Sequence, residues 1–249
     1  MPQVTVLVDN TAGRPDLGSE HGLSLLVDGP QGSVLFDTGA SGLSLVNAIR
    51  LDRLPQKLEA IVLSHGHYDH TGGLGAWLER FPQVKVVAHP AAFGHRFAVR
   101  DKARQIGTDL GLNGLGPDGQ LVLSQEPVQV LDKIWASGYI PRRTAYEDRG
   151  GPFFLDPQGR RIDHIPDDQA LVLELEDGLA VLCGCAHAGV VNTLLRVEDL
   201  WPGRPVRLLM GGFHLLAASP DRLAQTIREL KTRLAGPVVP GHCTGQQAL

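Results

Sequence analysis

Cysteines and long apolar runs are scarce in this sequence, and both shortages exclude classes of protein. Three cysteines among 249 residues, an odd number, do not make a disulfide framework. No apolar run approaches the roughly 18 residues that a membrane-spanning helix requires. The first residues, MPQVTVLVDN, have neither the basic start nor the apolar centre of a signal peptide. We therefore expect a cytoplasmic protein that does not bind membranes.

Runs of Lys or Arg are also lacking. The chain has 23 basic residues against 27 acidic ones, for a formal net charge of −4. Broad binding to nucleic acid through phosphate groups is therefore not expected, although a local basic pocket is compatible with this charge. A hydrophobic fraction of 43% and a charged fraction of 20% disfavour disordered and fibrous classes. We expect a small-molecule partner and leave homo-oligomerisation open.

Strand and helix patterns alternate along much of the chain and indicate a single α/β domain over residues 1–249. The run EAIVLSH is typical of a buried strand, and GGLGAWLERFP of a helix that ends before Pro82. ALVLELEDGLAVLCG predicts two strands joined by a hairpin turn. PDRLAQTIRELKTRLAG has the amphipathic pattern of a surface helix.

The pattern changes between about residues 91 and 166. Gly and Pro are frequent there, and strand patterns such as QLVLS and WASGYI are short. We interpret this range as an insertion or cap that packs over the functional site within the single domain.

Polar residues directly follow several of the apolar strand runs. They are Asp37, His65, His187, His214 and His242. In α/β sheets, ligands collect at the carboxyl ends of the strands. We therefore expect these side chains to belong to one shared site.

The stretch SHGHYDHTGGL, which begins at position 64, carries the clearest chemistry. Four ligand-type side chains fall within six residues: His65, His67, Asp69 and His70. Imidazole and carboxylate are good ligands for zinc and similar metals. The first two lie on the same side of an extended segment and can reach one metal, whereas the last two, at the turn into a helix, can face a second. A histidine-rich polar loop is the alternative, but the position between a buried strand and a helix favours a metal site.

The order HxHxDH in this stretch resembles the signature of the metallo-β-lactamase superfamily, and LFDTG upstream resembles that superfamily's strand-turn with a supporting aspartate. SGYIPRRTAYE, DDQALVLELEDGLAVLCGCAHAGVVNTL, GGFHL and GHCTG are similar to one branch, the 7,8-dihydropterin-6-methyl-4-(β-D-ribofuranosyl)-aminobenzene-5′-phosphate synthase-like proteins. The resemblance covers essentially the whole chain. It implies a four-layer αβ/βα sandwich with two metals between the sheets.

The resemblance also implies six protein ligands for two divalent metal ions. They are His65, His67 and His187 for the first metal, and Asp69, His70 and His242 for the second. The later ligands lie in the motifs CGCAH and PGHCTG. Zinc is the expected metal, with manganese or iron as alternatives.

One position departs from the superfamily pattern. Many members have Gly-Asp, with an aspartate that bridges the metals, where this chain has Gly184-Cys185. Because a cysteine thiolate can bind metal, Cys185 is either a ligand or a bystander whose place His187 takes. Asp167 and Asp168, just before this strand pair, either support the site or cap the turn into the strand.

Three further residues have expected roles in catalysis or substrate binding. Asp69 is expected to orient the nucleophile as well as to bind metal. His214 is not needed by either metal, and we favour substrate binding or proton transfer over ligation. In the expected cap, IPRRTAYE places Arg142 beside Arg143. A solvated surface pair is the simpler interpretation, but the resemblance to proteins that handle a phosphorylated ribose favours Arg142 as the ligand of an anionic substrate.

These residues together favour a metal-dependent hydrolase in which a metal-activated water attacks a phosphoester or a related ester. A pterin-pathway transferase, like the synthase of the branch, is the alternative. An iron-dependent oxidoreductase is a third hypothesis, disfavoured because no flavodoxin-like region follows. A metal-binding protein without catalysis is the fourth, and the full ligand set argues against it.

Overall fold

The computed structural model describes residues 2–108, 120–148 and 151–249. In chain order, the strands are β1 (Gln3–Val8), β2 (Ser24–Gly29), β3 (Gly32–Phe36), β4 (Leu58–Val62), β5 (Lys85–Ala88), β6 (Phe97–Val99), β7 (Ala103–Gln105), β8 (Leu121–Leu123), β9 (Val128–Leu131), β10 (Ile134–Ala136), β11 (Phe153–Phe154), β12 (Ala170–Leu175), β13 (Gly178–Cys183), β14 (Val206–Gly212) and β15 (Val238–Gly241). The α-helices are α1 (Leu43–Arg50), α2 (Tyr68–Thr71), α3 (Leu74–Arg80), α4 (Val190–Leu200) and α5 (Pro220–Arg233). Short 3₁₀ turns cover Pro90–Phe93 and Gln246–Ala248.

Two six-stranded sheets form the centre of the fold. The first has the strand order β1-β2-β3-β4-β5-β8, and the second has the order β15-β14-β13-β12-β10-β9. In each sheet, antiparallel pairs give way to parallel ones: β3, β4 and β5 run parallel in the first, and β13, β14 and β15 in the second. The carboxyl ends of parallel strands lie at one edge of a sheet, so the loops that follow them are brought together.

Alternating side chains bury both faces of each sheet. In β3, Val34 and Phe36 pack in the core between the sheets, whereas Leu35 packs with residues of α3 outside them. In β13, Leu182 belongs to the central core, and Val181 packs with residues of α4. The layers are therefore helix, sheet, sheet and helix, which confirms the predicted αβ/βα sandwich.

Several predicted elements are confirmed in detail. The α3 helix ends before Pro82, and β12 and β13 form the predicted hairpin. The α5 helix begins at Pro220, where Ser219 Oγ accepts a hydrogen bond from the Arg222 N–H at 3.2 Å. Among the described residues, no helix is both long enough and apolar enough to cross a bilayer.

The range from about 91 to 166, expected to form a cap, contributes to all three sheets of the structure. The β8 strand joins the first large sheet, β9 and β10 join the second, and β6, β7 and β11 form a small third sheet. Residues 109–119 and 149–150 of this range lie outside the described residues. The strands β8 to β10 are thus part of the sandwich itself, and a role as a cap stays a prediction for the small sheet.

A buried carboxylate holds the start of α4. Glu147 is 6% exposed, and its two oxygens accept hydrogen bonds from the backbone N–H groups of Val191 and Asn192, each at 2.9 Å. Gly189, just before the helix, has a φ of 107° and approaches the same carboxylate so closely that a Cβ would lie 2.3 Å from Glu147 Oε2. The loop that carries His187 into α4 is therefore fixed by a residue distant in sequence.

We predict that Glu147→Ala lowers the free energy of unfolding by about 1–3 kcal/mol, because two buried N–H groups lose their acceptor. Urea denaturation followed by circular dichroism measures the change. Glu176→Ala, at an exposed position of the β12–β13 turn, is the matched control and should behave like the unsubstituted protein. Equal unfolding free energies for the two variants would contradict the assignment.

Candidate metal centre

Loops at the carboxyl ends of the parallel strands place the predicted site residues together. Asp37 follows β3, His65 follows β4, and the segment 184–187 follows β13. His214 follows β14, and His242 directly follows β15. The sequence analysis predicted that these residues share one site because each follows a strand, and the structure does bring them to one edge of the sandwich.

Three overlapping groups of potential metal ligands lie at this edge, and the ligand atoms within each group lie within 4.8 Å of one another. The first group consists of Asp69, His70, Cys185 and His242. The second consists of His65, Cys185 and His187, and the third of Cys185, His214 and Cys243. The first two groups separate the expected ligands in the same way as the two predicted metal positions do.

His67 adjoins the second group without belonging to it. Its Nδ1 lies 3.0 Å from His65 Nε2, and its ring centroid lies 4.9 Å from that of His187. Its Nε2 is buried and has no hydrogen-bond partner in the part of the chain that the structure describes. Such a buried nitrogen is costly unless a ligand satisfies it, so His67 is suited to complete this group.

The hydrogen bonds of the first group leave acceptor atoms facing one another. His70 Nδ1 donates to Asp37 Oδ2 at 2.6 Å, and His242 Nδ1 donates to Asn10 Oδ1 at 3.0 Å. The two remaining Nε2 atoms lie 3.2 Å apart, and in neutral rings both are acceptors. Asp69 Oδ2 lies 3.6 Å from the first Nε2 and 3.4 Å from the second. Converging acceptors repel one another unless a cation lies between them.

The spacing and type of these donors fit a tetrahedral metal site. Nitrogen ligands about 2.0–2.1 Å from a tetrahedral zinc lie about 3.3 Å from one another. His70 Nε2 lies 3.2 Å from both Cys185 Sγ and His242 Nε2. Imidazole, carboxylate and thiolate are also the ligand types that divalent transition metals prefer. The residues present therefore fit the cations that the fold implies.

Burial and neighbouring charges set protonation states that suit metal binding. Burial lowers the pKa of His67 to about 3 and that of His65 well below its ordinary value. Burial would raise the pKa of Asp69, but the neighbouring His70 and His242 outweigh it and hold that pKa below its ordinary value. For His70, burial is outweighed by the Asp37 and Asp69 carboxylates, which raise its pKa to about 9. In the absence of a bound cation, His65 and His67 are therefore neutral and Asp69 is ionised, whereas His70 holds a proton whose positive charge a bound cation would replace.

A fully buried carboxylate orients two of the candidate ligands. Asp37 accepts hydrogen bonds from the Ser64 N–H and the Ser64 hydroxyl, each at 2.7 Å, in addition to that from His70. The Ser64 hydroxyl in turn accepts from His65 Nδ1 at 2.8 Å. Hydrogen bonds of this kind fix the tautomer and orientation of a ligand histidine, so that its other nitrogen faces the metal.

Left-handed backbone conformations cluster around the site. The φ angles are 60° at Asp37, 50° at Ala186, 47° at His214 and 50° at His242. Conformations of this kind cost roughly 1–3 kcal/mol each in residues other than glycine and persist only where the surroundings impose them. They turn the backbone at the strand ends that carry the site residues, and no periodic pattern in the sequence indicates them.

Asp167 and Asp168, expected as supporting or turn residues, hold the backbone of both ligand loops. Asp167 Oδ2 accepts from the Gly66 N–H between the first two histidines, and Asp168 Oδ2 accepts from the Ala188 N–H, each at 2.7 Å. The buried guanidinium of Arg96 donates to Asp167 Oδ1 at 2.6 Å. Burial raises the pKa of Asp168 to about 7. These bonds connect the start of β6 to the loops of both sheets.

A cavity of about 930 Å³ opens above the donor groups. This volume lies within the roughly 300–1,000 Å³ of small-molecule sites. The potential ligands that line it are His67, Asp69, Cys185, His187, His214, His242 and Cys243. Basic side chains line it as well, namely Arg100, Lys102 and Arg104 of the β6–β7 hairpin.

Arg142 is placed elsewhere. Among the described residues, those that line the cavity do not include it. Its Nη2 donates to the carbonyl oxygen of His164 at 3.2 Å, and its charge acts on the buried Asp168. Arg142 is therefore absent from the described lining of the cavity, and its role in substrate binding stays a prediction.

Sequence reasoning missed several residues that the structure places at the site. Asn10 holds His242 and lies two residues after the end of β1, so its position after a strand was a signal that could have found it. His21, whose Nδ1 lies 3.3 Å from Asp69 Oδ2, was not distinguishable from a surface turn. The basic residues of the β6–β7 hairpin carry no motif, because only the packing of the small sheet brings them to the cavity.

Known proteins are similar to this chain over nearly its whole length. A sequence model of the Metallo-beta-lactamase superfamily matches residues 17–242. The 7,8-dihydropterin-6-methyl-4-(beta-D-ribofuranosyl)-aminobenzene-5′-phosphate synthase of Methanocaldococcus jannaschii is 30% identical over 262 residues, which cover 99% of this chain and 88% of that protein. The uncharacterized protein MJ0448 of the same organism is 33% identical over 249 residues, which cover 99% of this chain and 92% of that one.

A solved structure is similar in both sequence and fold. The crystal structure of Tm1679, described as a metal-dependent hydrolase of the beta-lactamase superfamily, is 32% identical to this chain. The superposition has a TM-score of 0.82 and covers 98% of this chain and 89% of Tm1679.

We predict that Asp37→Asn weakens metal binding by about 10- to 100-fold, because the amide loses an acceptor that orients His70. Competition with a chromophoric chelator measures the affinity. Asp52→Asn is the matched control, since Asp52 also has a positive φ, of 54°, but lies exposed after α1. An equal loss of metal affinity in both variants would contradict the assigned role of the hydrogen bond between Asp37 and His70.

Proposed function

The chain belongs to the metallo-β-lactamase superfamily, a family of metal-dependent hydrolases, and from this premise we propose that it hydrolyses a phosphoester or a related ester with two divalent metal ions. The observation that carries the proposal is the pair of donor groups below a cavity of about 930 Å³. Zinc is the proposed metal, and manganese or iron are the alternatives. The proposed ligands are His65, His67 and His187 for one ion, and Asp69, His70 and His242 for the other.

When bound, divalent metals promote hydrolysis by lowering the pKa of a coordinated water towards neutrality and by polarising the ester oxygen. Asp69 is ionised, lines the cavity and orients the attacking water through its carboxylate. The water oxygen forms a bond to the phosphorus or carbonyl carbon, and the bond to the leaving oxygen breaks. His214 lines the same cavity, with its ring centroid 4.3 Å from that of His187, and donates a proton to the leaving oxygen.

The cavity wall supports an anionic substrate. Three of the described lining residues carry a positive charge at neutral pH, and one, Asp69, carries a carboxylate. Arg104 is held in place because its Nη2 donates to the Tyr68 hydroxyl at 2.9 Å and its guanidinium lies 4.9 Å from the centroid of that ring. Arg100 and Lys102 extend the positive charge towards solvent. We therefore assign recognition of a phosphate or carboxylate to these three residues rather than to Arg142.

A second candidate is synthesis of a pterin-linked ribofuranosylaminobenzene phosphate. The observation that favours it is the 30% identity, over 99% of this chain, to the synthase of M. jannaschii. The name of that relative describes a 5′-phosphate. The basic residues that line the cavity suit such a group as well as they suit the phosphoester of the first candidate. Assays of the metal-loaded protein on phosphomonoesters, phosphodiesters, lactones and β-lactams separate the candidates, since turnover of an ester with water alone supports the hydrolase.

We predict that His67→Ala abolishes hydrolysis and lowers the metal content, because one ligand is removed. By contrast, His214→Ala is expected to lower kcat by about 10² to 10⁴ and to retain the metal, as the loss of a proton donor does. Metal analysis by mass spectrometry and steady-state kinetics test the pair together. Loss of metal in the His214 variant would place that histidine among the ligands instead.

We predict that the double substitution Arg100→Ala/Lys102→Ala raises KM about tenfold or more for a phosphorylated ester and leaves KM for a neutral ester unchanged. A charge-assisted hydrogen bond contributes about 1.5–3 kcal/mol, which corresponds to a change of at least this size. The comparison variant is Arg142→Ala, which should resemble the unsubstituted enzyme on both substrates. A selective increase in KM for Arg142→Ala alone would move the anion site to that arginine.

A further inference from the structure

The sulfur of Cys185 is common to all three groups of potential ligands. It lies with Asp69, His70 and His242 in one group and with His65 and His187 in another. No other side chain among the described residues belongs to both of these groups. A single donor atom at the junction of two metal positions is the geometry of a bridging ligand.

Contacts of Cys185 distinguish it from a small residue that merely fills space. The residue is 2% exposed, and its Sγ lies 3.2 Å from His70 Nε2, the same distance that separates this nitrogen from His242 Nε2. The neighbouring Cys183 provides the contrast, because it is equally buried but packs among apolar residues of the α4 side of the second sheet. Two cysteines that are two residues apart thus occupy different chemical surroundings.

We infer that the Cys185 thiolate is a ligand shared by the two metal positions, in place of a bridging carboxylate. The inference deepens the proposed metal-dependent function and rests on it. Metal binding releases the thiol proton to solvent, and no electrons are transferred. A thiolate at this position would balance part of the charge of both cations.

Cys243 is the competing candidate, since its Sγ lies 3.3 Å from Cys185 Sγ. It belongs only to the third group, with Cys185 and His214, and shares no group with the remaining histidines of the two metal positions. Its sulfur therefore contacts Cys185 Sγ but belongs to no group that contains a histidine of either metal position. Replacement of Cys185 and replacement of Cys243 are therefore expected to have different effects on metal binding.

The test uses the full chain, stripped with a chelator and reloaded with cobalt(II), which gives thiolate ligands a strong near-ultraviolet charge-transfer absorption. The unsubstituted protein should show this absorption and bind two cobalt ions. Cys185→Ala should lose the absorption and about one of the two ions. Cys185→Asp should recover the second ion without the absorption, because a carboxylate can bridge two metals.

Two matched controls locate the effect. Cys183→Ala removes a buried thiol two residues away, and Cys243→Ala removes the adjacent thiol; both should keep the absorption and both ions. Absorption retained in Cys185→Ala, or lost in Cys243→Ala, would overturn the inference. Circular dichroism identifies a variant that fails to fold, in which case the Cys185→Asp result decides.

The outcomes also separate this inference from the proposed function. Cobalt uptake by the unsubstituted protein without a thiolate absorption would overturn the bridging role and leave metal-dependent hydrolysis standing. Absence of any cobalt uptake would overturn both.

Discussion

The buried carboxylate of Asp37 is the interaction on which the geometry of the site depends. It lies at the end of β3, is 0% exposed, and accepts hydrogen bonds from both the backbone and the hydroxyl of Ser64 at the end of β4. The same carboxylate fixes His70, and the Ser64 hydroxyl fixes His65. Burying a charge is costly unless it is well satisfied, so the strand ends and the two imidazoles must occupy this one arrangement together.

The main strands and helices were predictable from their sequence patterns, whereas the four-layer arrangement followed only from the resemblance to the metallo-β-lactamase superfamily. Continuous apolar runs such as SVLF and LAVLC predict strands that are buried on both faces, and the amphipathic pattern of α5 predicts a helix that covers a sheet. The range from 91 to 166 was harder, because β8, β9 and β10 are only three or four residues long. Strands this short carry too little periodicity to show which sheet they join, and pairing with neighbours decides it instead.

The site divides in the same way into local and non-local parts. The grouping of His65, His67, Asp69 and His70 was predictable because all four fall within six residues of one segment. The position of the basic residues of the β6–β7 hairpin at the cavity was not predictable, since Lys102 reaches the cavity only through packing of the small sheet. The left-handed backbone conformations of His214 and His242 were also not predictable, because contacts distant in sequence impose them.

The donors of the first group come from both sheets, and this has a consequence for how the chain folds. His70 follows β4 and His242 follows β15, and the two lie 172 residues apart in sequence. A cation held between them is a cross-link between the two halves of the sandwich, and the unfolded chain offers no preformed equivalent. The free energy of that binding therefore adds to the free energy of unfolding. We therefore expect a chelator to act on this protein as a denaturant and its melting temperature to rise with the concentration of free metal.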